Sequence, residues 1–402
     1  MEKWNRVAML CITPLALMAA PAIAETHNIA AGADAQEKLQ EAMILAEPGD
    51  EIVLAAGTYA LTDGLSLDVD NVTVRGAGAD KTILDFARQK GSGEGLLVTS
   101  DNVVLRDFTV RDSKGDGIKS KGADNIVYYR LTVEWSGGPK ETNGAYGIYP
   151  VESENVLVDA TTVIGASDAG IYVGQSRNII VRNNHVTYNV AGIEIENSFN
   201  ADVYGNLTEN NTGGILVFDL PNLPQQGGHD VRIFGNTLRD NNTRNFAPEG
   251  NIVASVPAGS GIMVMANSDV EIFGNVFEDH GTANVIIVGY QQAYDDANYQ
   301  PLANRIRMAN NSHGKAGYEP GFPEGALLAA VLGGSLPPII WDGTGEGVIS
   351  SDAAPALSLN LSRPDQPLTE AQPAMADFGG AKADMTVPAV VMPEDMEEIV
   401  KR

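Results

Sequence analysis

A strand-and-turn unit recurs through the chain every 22 to 23 residues, and a period this short leaves few folds open. A Gly-Ile pair marks one phase, at Gly117-Ile118, Gly147-Ile148, Gly170-Ile171, Gly192-Ile193, Gly214-Ile215 and Gly261-Ile262. Successive glycines lie 30, 23, 22, 22 and 47 residues apart, so the first and last intervals carry insertions. A second phase starts at Asn or Asp and enters a β-branched run, as in Asn71-Val72-Thr73-Val74, Asn125-Ile126-Val127 and Asn178-Ile179-Ile180-Val181. Asn recurs six residues later at Asn184, Asn236 and Asn275. Three short strands per period, separated by turn-forming Gly and Asn, describe one triangular coil of a parallel β-helix. Leucine-rich repeats share the period but need Leu at fixed offsets followed by a helix, and these segments show neither.

Each coil is stabilised only by its neighbours, so the ends need caps. Asp34 to Ala46 reads as an amphipathic helix with Asp34 as N-cap and Ala35, Leu39, Ala42, Met43 and Ala46 near one face, suited to close the N-terminal end. The repeat fades near residue 318, and the Pro-rich, acidic remainder is expected to cap or wrap the barrel, partly disordered from Ser362 onward. The expected organisation is 1–24 export signal, 25–50 cap, 51–318 β-helix and 319–402 non-repeat tail.

The export reading rests on Lys3 and Arg6, an apolar run from Val7 to Ala20, and Ala22-Ile23-Ala24 as a cleavage site. It implies a secreted or periplasmic protein. Cys11 is the only cysteine and falls in that segment, leaving no disulfide or thiolate metal site downstream. No later stretch is long and apolar enough to span a bilayer, so the chain is not expected to be an integral membrane protein. With 26 Lys and Arg against 52 Asp and Glu, the net charge of −26 repels nucleic acid and anionic lipid. A polyanionic glycan would be repelled too, unless Ca²⁺ or a local basic patch intervenes. A monomer is expected.

Pro48-Gly49-Asp50-Glu51-Ile52-Val53-Leu54, then Ala56-Gly57-Thr58-Tyr59, Arg75-Gly76-Ala77-Gly78 and Thr82-Ile83-Leu84-Asp85, followed by the Gly-Ile repeats, resemble the pectate-lyase-like right-handed β-helix proteins over about residues 32–310. The resemblance implies an all-β fold, a right-handed single-stranded parallel β-helix with a short N-terminal capping helix. Its relatives include lyases, hydrolases, epimerases and non-catalytic accessory proteins. A closer likeness is to alginate C5-epimerases: Tyr146-Gly147-Ile148-Tyr149-Pro150-Val151-Glu152 matches their motif at Tyr146, Gly147, Pro150 and Glu152. Tyr149 stands where that family has Asp, and Val151 where it has His.

Strand alternation turns the Gly-Ile phase into columns. The isoleucines point inward, and outward come Lys119, Tyr149, Tyr172, Glu194, Leu216 and Met263, then Lys121, Val151, Gly174, Glu196, Phe218 and Met265. This strip runs from basic through aromatic to acidic and apolar. Lys119, Lys121, Tyr146, Tyr149 and Tyr172 are candidate substrate-binding residues, since tyrosines at coil spacing suit sugar rings. Arg130 and Lys140 join the lysines in the one basic region. Glu152, Asp168, Glu194 and Glu196 are candidate catalytic carboxylates. Asp168, Glu194 and Glu196 are also candidate Ca²⁺ ligands, and Ca²⁺ is the one cofactor considered. The bland alternatives are a turn cap for Asp168, plain surface charge for the glutamates, and a covered rather than open apolar end. The expected partner is an extended, uronate-containing polysaccharide, with β-elimination as the chemistry if the strip is catalytic. The rival reading is a non-catalytic periplasmic accessory protein.

Overall fold

The computed structural model describes residues 24–91, 93–378 and 382–401. The export signal therefore lies outside the described residues, except for Ala24. Among the described residues, three sheets of twelve, twelve and ten strands run the length of the molecule, and outside the two ends each strand pairs with the one three positions earlier in sequence. Every pairing is parallel except that of Ala356–Ser358 with Ala374–Met375. The chain is thus a right-handed parallel β-helix, as the repeat implied.

Why these residues build this coil is visible in the core. Ile118, Ile148, Ile171, Ile193, Ile215 and Ile262 lie in register on successive coils and are all fully buried. Stacked β-branched side chains fill the barrel interior, which is where the hydrophobic stabilisation of a solenoid resides. The glycine before each isoleucine has a separate reason: a Cβ on Gly170 or Gly192 would meet the next coil's backbone oxygen at 2.8 or 2.5 Å.

The asparagines have two jobs. Those opening the second phase, among them Asn71, Asn102, Asn125, Asn155, Asn178 and Asn200, sit at φ between 54° and 61°, the left-handed region that Asn tolerates best among residues with a side chain. Those of the third phase form a buried ladder. Asn184, Asn206, Asn236, Asn275 and Asn311 each donate a side-chain N–H to the next side-chain oxygen at 3.0 Å, up to Asp352 at 2.9 Å. A second ladder through Asn189, Asn211 and Asn241 ends on the buried ring of His280.

Helix α1 (Ala35–Leu45) caps the N-terminal end, burying Ala35, Leu39, Ala42 and Met43. Asp34 makes no side-chain cap and instead pairs with Lys38 at 2.7 Å, an exposed pair worth little. At the C-terminal end of the chain, residues 382–401 form a strap over the first sheet. Helix α2 (Glu394–Lys401) closes it. Val390, Met392 and Met396 cover Val127, Leu157 and Ile180, and Arg182 grips Glu397 with two hydrogen bonds.

Candidate active site

The outward columns fall where alternation put them. Lys119 pairs with Tyr149, Tyr172 with Glu194, and Glu194 with Leu216, while Gly174 pairs with Glu196 and Glu196 with Phe218. What the columns alone do not reveal is how deeply they are covered. Where a neighbouring coil turns through residues 210–212, the next turns through residues 240–259. That insertion folds back over the sheet. Val253 and Val256 are buried against a cluster containing Tyr172, Leu216, Phe218 and Met263. The apolar end is therefore a covered sheet, sealed further by Tyr290, Tyr299, Leu357 and Leu359 from later segments.

Beneath this cover lie three carboxyls: Glu194 at 1% exposure, Asp168 at 4% and Glu196 at 6%. They are not plain surface charges. Glu196 accepts a 2.6 Å hydrogen bond from the Tyr172 hydroxyl, and Asp168 accepts one from the Asn251 side-chain amide at 3.1 Å. Neither oxygen of Glu194 has a hydrogen-bond partner. Taking a carboxylate out of water disfavours its charged form, and neighbouring acids add repulsion: Asp168 and Glu196 on Glu194, Asp168 on Glu196, and Asp116 on Asp168. Burial pushes Asp168 and Glu196 up to about 7, each held back by its hydrogen bonds, and sends Glu194, which has none, well above the usual range. The three form one acidic trio. Asp116, also raised by burial to about 6, adds a fourth acid beside it.

The tyrosines close ranks around the acids. Tyr146 lies 4.5 Å from both Tyr149 and Tyr172 between ring centroids, and Tyr149 meets Tyr172 edge-on at 5.0 Å. Tyr172 is only 4% exposed, so the expectation of an open stacking platform is corrected: its faces are taken by its neighbours. Tyr146 and Tyr149 are half-buried. Burial raises all three phenols, Tyr149 to about 12, which keeps them protonated donors rather than bases.

The basic end is less open to ligand than its composition implied. Lys119 sits 4.7 Å over the Tyr149 ring but is shared by Glu94 at 3.4 Å and Asp116 at 4.0 Å. Lys121 and Glu152 pair with each other at 3.5 Å on the exposed flank, where Glu152 lines a shallow groove with Asp124, Glu154, Gln175 and Arg177. Arg130 belongs to a different face, bound to Asp107. The Ca²⁺ ligand set does not form either: among the described residues no three His, Cys, Asp or Glu side chains are arranged to hold a metal ion. Glu196 is turned onto a phenol and Asp168 onto an amide, so the three carboxyls do not converge on one point. Asn251 and Asp116 were missed by the columns. The 47-residue interval between Gly214 and Gly261 was the available signal for the covering insertion.

Residues 61–224 match the family model described as the right handed beta helix region. Among solved structures, DFA-IIIase from Arthrobacter chlorophenolicus A6 superposes with a TM-score of 0.51 at 13% identity, covering 79% of this chain and 77% of that one. The catalytic unit of an α-1,3-glucanase from Streptomyces thermodiastaticus gives 0.50 at 16% identity, over 84% of this chain and 55% of that one. The A-module of the mannuronan C-5 epimerase AlgE6 from Azotobacter vinelandii gives 0.49 at 17%, over 84% and 97%. At such identities the likeness is one of fold. No curated protein sequence matches. Among the described residues, no helix is long and apolar enough to cross a membrane.

Proposed function

We propose that this chain is a carbohydrate-active β-helix that breaks glycosidic bonds of an extended polysaccharide at the strip from Tyr146 to Glu196. One observation carries the reading: three buried carboxyls, held near or above neutral in pKa, stand beside a tyrosine cluster on one outer face. Glycoside cleavage needs two carboxyls in opposite protonation states, one to protonate the leaving oxygen and one to act as base or nucleophile. Glu194, stripped of partners, is the proton donor; Glu196, whose charged form Tyr172 favours, is the ionised partner. Asp168 tunes both through its charge. Tyr146 and Tyr149 bind sugar rings at the open edge.

The same electrostatics argues for a neutral glycan, because a uronate arriving here meets Asp116 and the trio while Lys119 is already engaged. β-Elimination of a polyuronate is the second reading, and Lys119 at the head of the strip is the observation that favours it. The export signal read from the sequence puts either substrate outside the cytoplasm.

The test incubates the purified protein with neutral α- and β-glucans, fructans and polyuronates, following new reducing ends and the ultraviolet absorbance of unsaturated products. Reducing ends from a neutral glycan, lost in Glu194→Gln and Glu196→Gln, support the reading. Unsaturated products move it to β-elimination. Retention without turnover, or silence throughout, overturns catalysis and leaves the accessory-protein alternative.

A further inference from the structure

We propose that Gly174 is a positioning residue: its missing side chain opens a slot on the sheet's outer face through which Tyr172 reaches Glu196 on the next coil. The assignment rests on the reading of Glu196 as a reacting carboxyl.

Tyr172 and Gly174 are two apart on one strand, so they share its outward face. In the column containing Gly174, its neighbours Lys121, Val151, Glu196, Phe218 and Met265 all carry side chains. Backbone conformation does not explain the exception, because Gly174 lies in a regular strand and its φ is not positive. Glycine inside a strand loses packing and costs conformational entropy, and its usual reason is close approach by another group. The approaching group is the Tyr172 ring. A Cβ on Gly174 would lie 2.4 Å from both Cε1 and Oη of Tyr172, and 2.7 Å from Cζ.

The slot fixes the direction of the phenol. Tyr146 and Tyr149 pack on the ring, and its hydroxyl ends 2.6 Å from Glu196 Oε1 in a region that excludes water. One carboxyl of the trio is thereby held by a strong donor while Glu194 is held by none. That asymmetry separates their protonation, and it depends on the absence of a single methyl group.

The clash in Gly174→Ala would be with the far end of Tyr172, which can swing away, so this variant is expected to fold. Carboxyl ¹³C NMR titration of the full chain reads the outcome, with the Glu196 resonance identified by its absence in Glu196→Gln. Losing the phenol donor weakens the ionised form, so the Glu196 midpoint should rise by about one pH unit in Gly174→Ala and equally in Tyr172→Phe. Adding Gly174→Ala to Tyr172→Phe should change nothing more. An unmoved midpoint in Gly174→Ala, or a shift that persists in full on top of Tyr172→Phe, overturns the proposal. If Gly174→Ala does not fold, Gly174→Ala with Tyr172→Ala removes the clash and should restore folding; a double variant that also fails to fold overturns it. The titration uses no glycan, so these shifts in a chain that cleaves nothing uphold the slot and defeat only the reaction assigned to Glu196.

Discussion

The side-chain amide of Asn251 donates to Asp168 Oδ2 at 3.1 Å, bridging 83 residues of sequence to join the covering insertion to the acid cluster it hides. It is a side-chain hydrogen bond from the insertion to the trio. With the acids at 1% to 6% exposure, the reaction proposed above requires this cover to lift. Asn251→Ala should loosen it. Carbodiimide labelling at Asp168 and Glu194, read by mass spectrometry, is expected to accelerate several-fold relative to the native chain. Equal labelling rates would show that Val253 and Val256 alone hold the cover down.

The trio also gives stability a pH dependence of known sign. Glu196 has a pKa of about 7 in the folded chain and its ordinary 4.5 when unfolded. Between those values the folded state binds the extra proton, so this contribution is full below about pH 4.5 and is lost as pH rises through about 7. A shift of that size corresponds to on the order of 3 kcal/mol. Glutamine in place of Glu196 cannot ionise. The melting temperature of Glu196→Gln should therefore gain on the native chain between about pH 5 and pH 8; a pH-independent difference would mean that Glu196 is not buried as an acid.

Much of this was legible in advance because a solenoid writes its geometry into sequence at fixed intervals. The isoleucine column and the pairing of Tyr172 with Glu194 follow from a period of 22 to 23 and strand alternation alone. Burial of the strip did not follow, because residues 240–259 belong to no repeat and their path over the sheet is set by where Val253 and Val256 find an apolar surface. The full set of partners of the lysines was hidden for a related reason. Lys119 and Lys121 are adjacent in the columns, but their acidic partners Glu94 and Glu152 lie on other coils, and alternation says nothing about how long side chains meet.

Asn236 sits mid-ladder with every polar atom of its side chain used. Its amide donates to Val203 O at 2.9 Å and to Asn275 Oδ1 at 3.0 Å, and its own oxygen accepts from Asn206 N and Nδ2, both at 3.0 Å. Asn236→Ala leaves these buried groups unpaired and opens a small void. A loss of about 3 kcal/mol is expected, measured by denaturant unfolding. Asn200→Gly, on a ladder that is partly exposed, should cost under about 1 kcal/mol, because water replaces the lost bonds and glycine accepts the left-handed φ of this position.

Two buried acids hold the strap over the first sheet. Glu271 is fully buried and accepts from the backbone N–H groups of Thr386 and Val387, and Asp202 accepts from Val390 N while paired with Arg232. Removing residues 385–402 would uncover Val127, Leu157 and Ile180 and leave Glu271 with Arg307 at 4.0 Å as its nearest cation. Exposed apolar strands on a long flat sheet invite association. The truncated chain should melt several degrees lower and elute as larger species at high concentration. Glu271→Gln keeps an acceptor for Thr386 and Val387 without the charge, and should leave both properties near native. If truncation left melting and elution unchanged, the strap would be a passenger on the sheet and Glu271 would owe its burial to the coil alone.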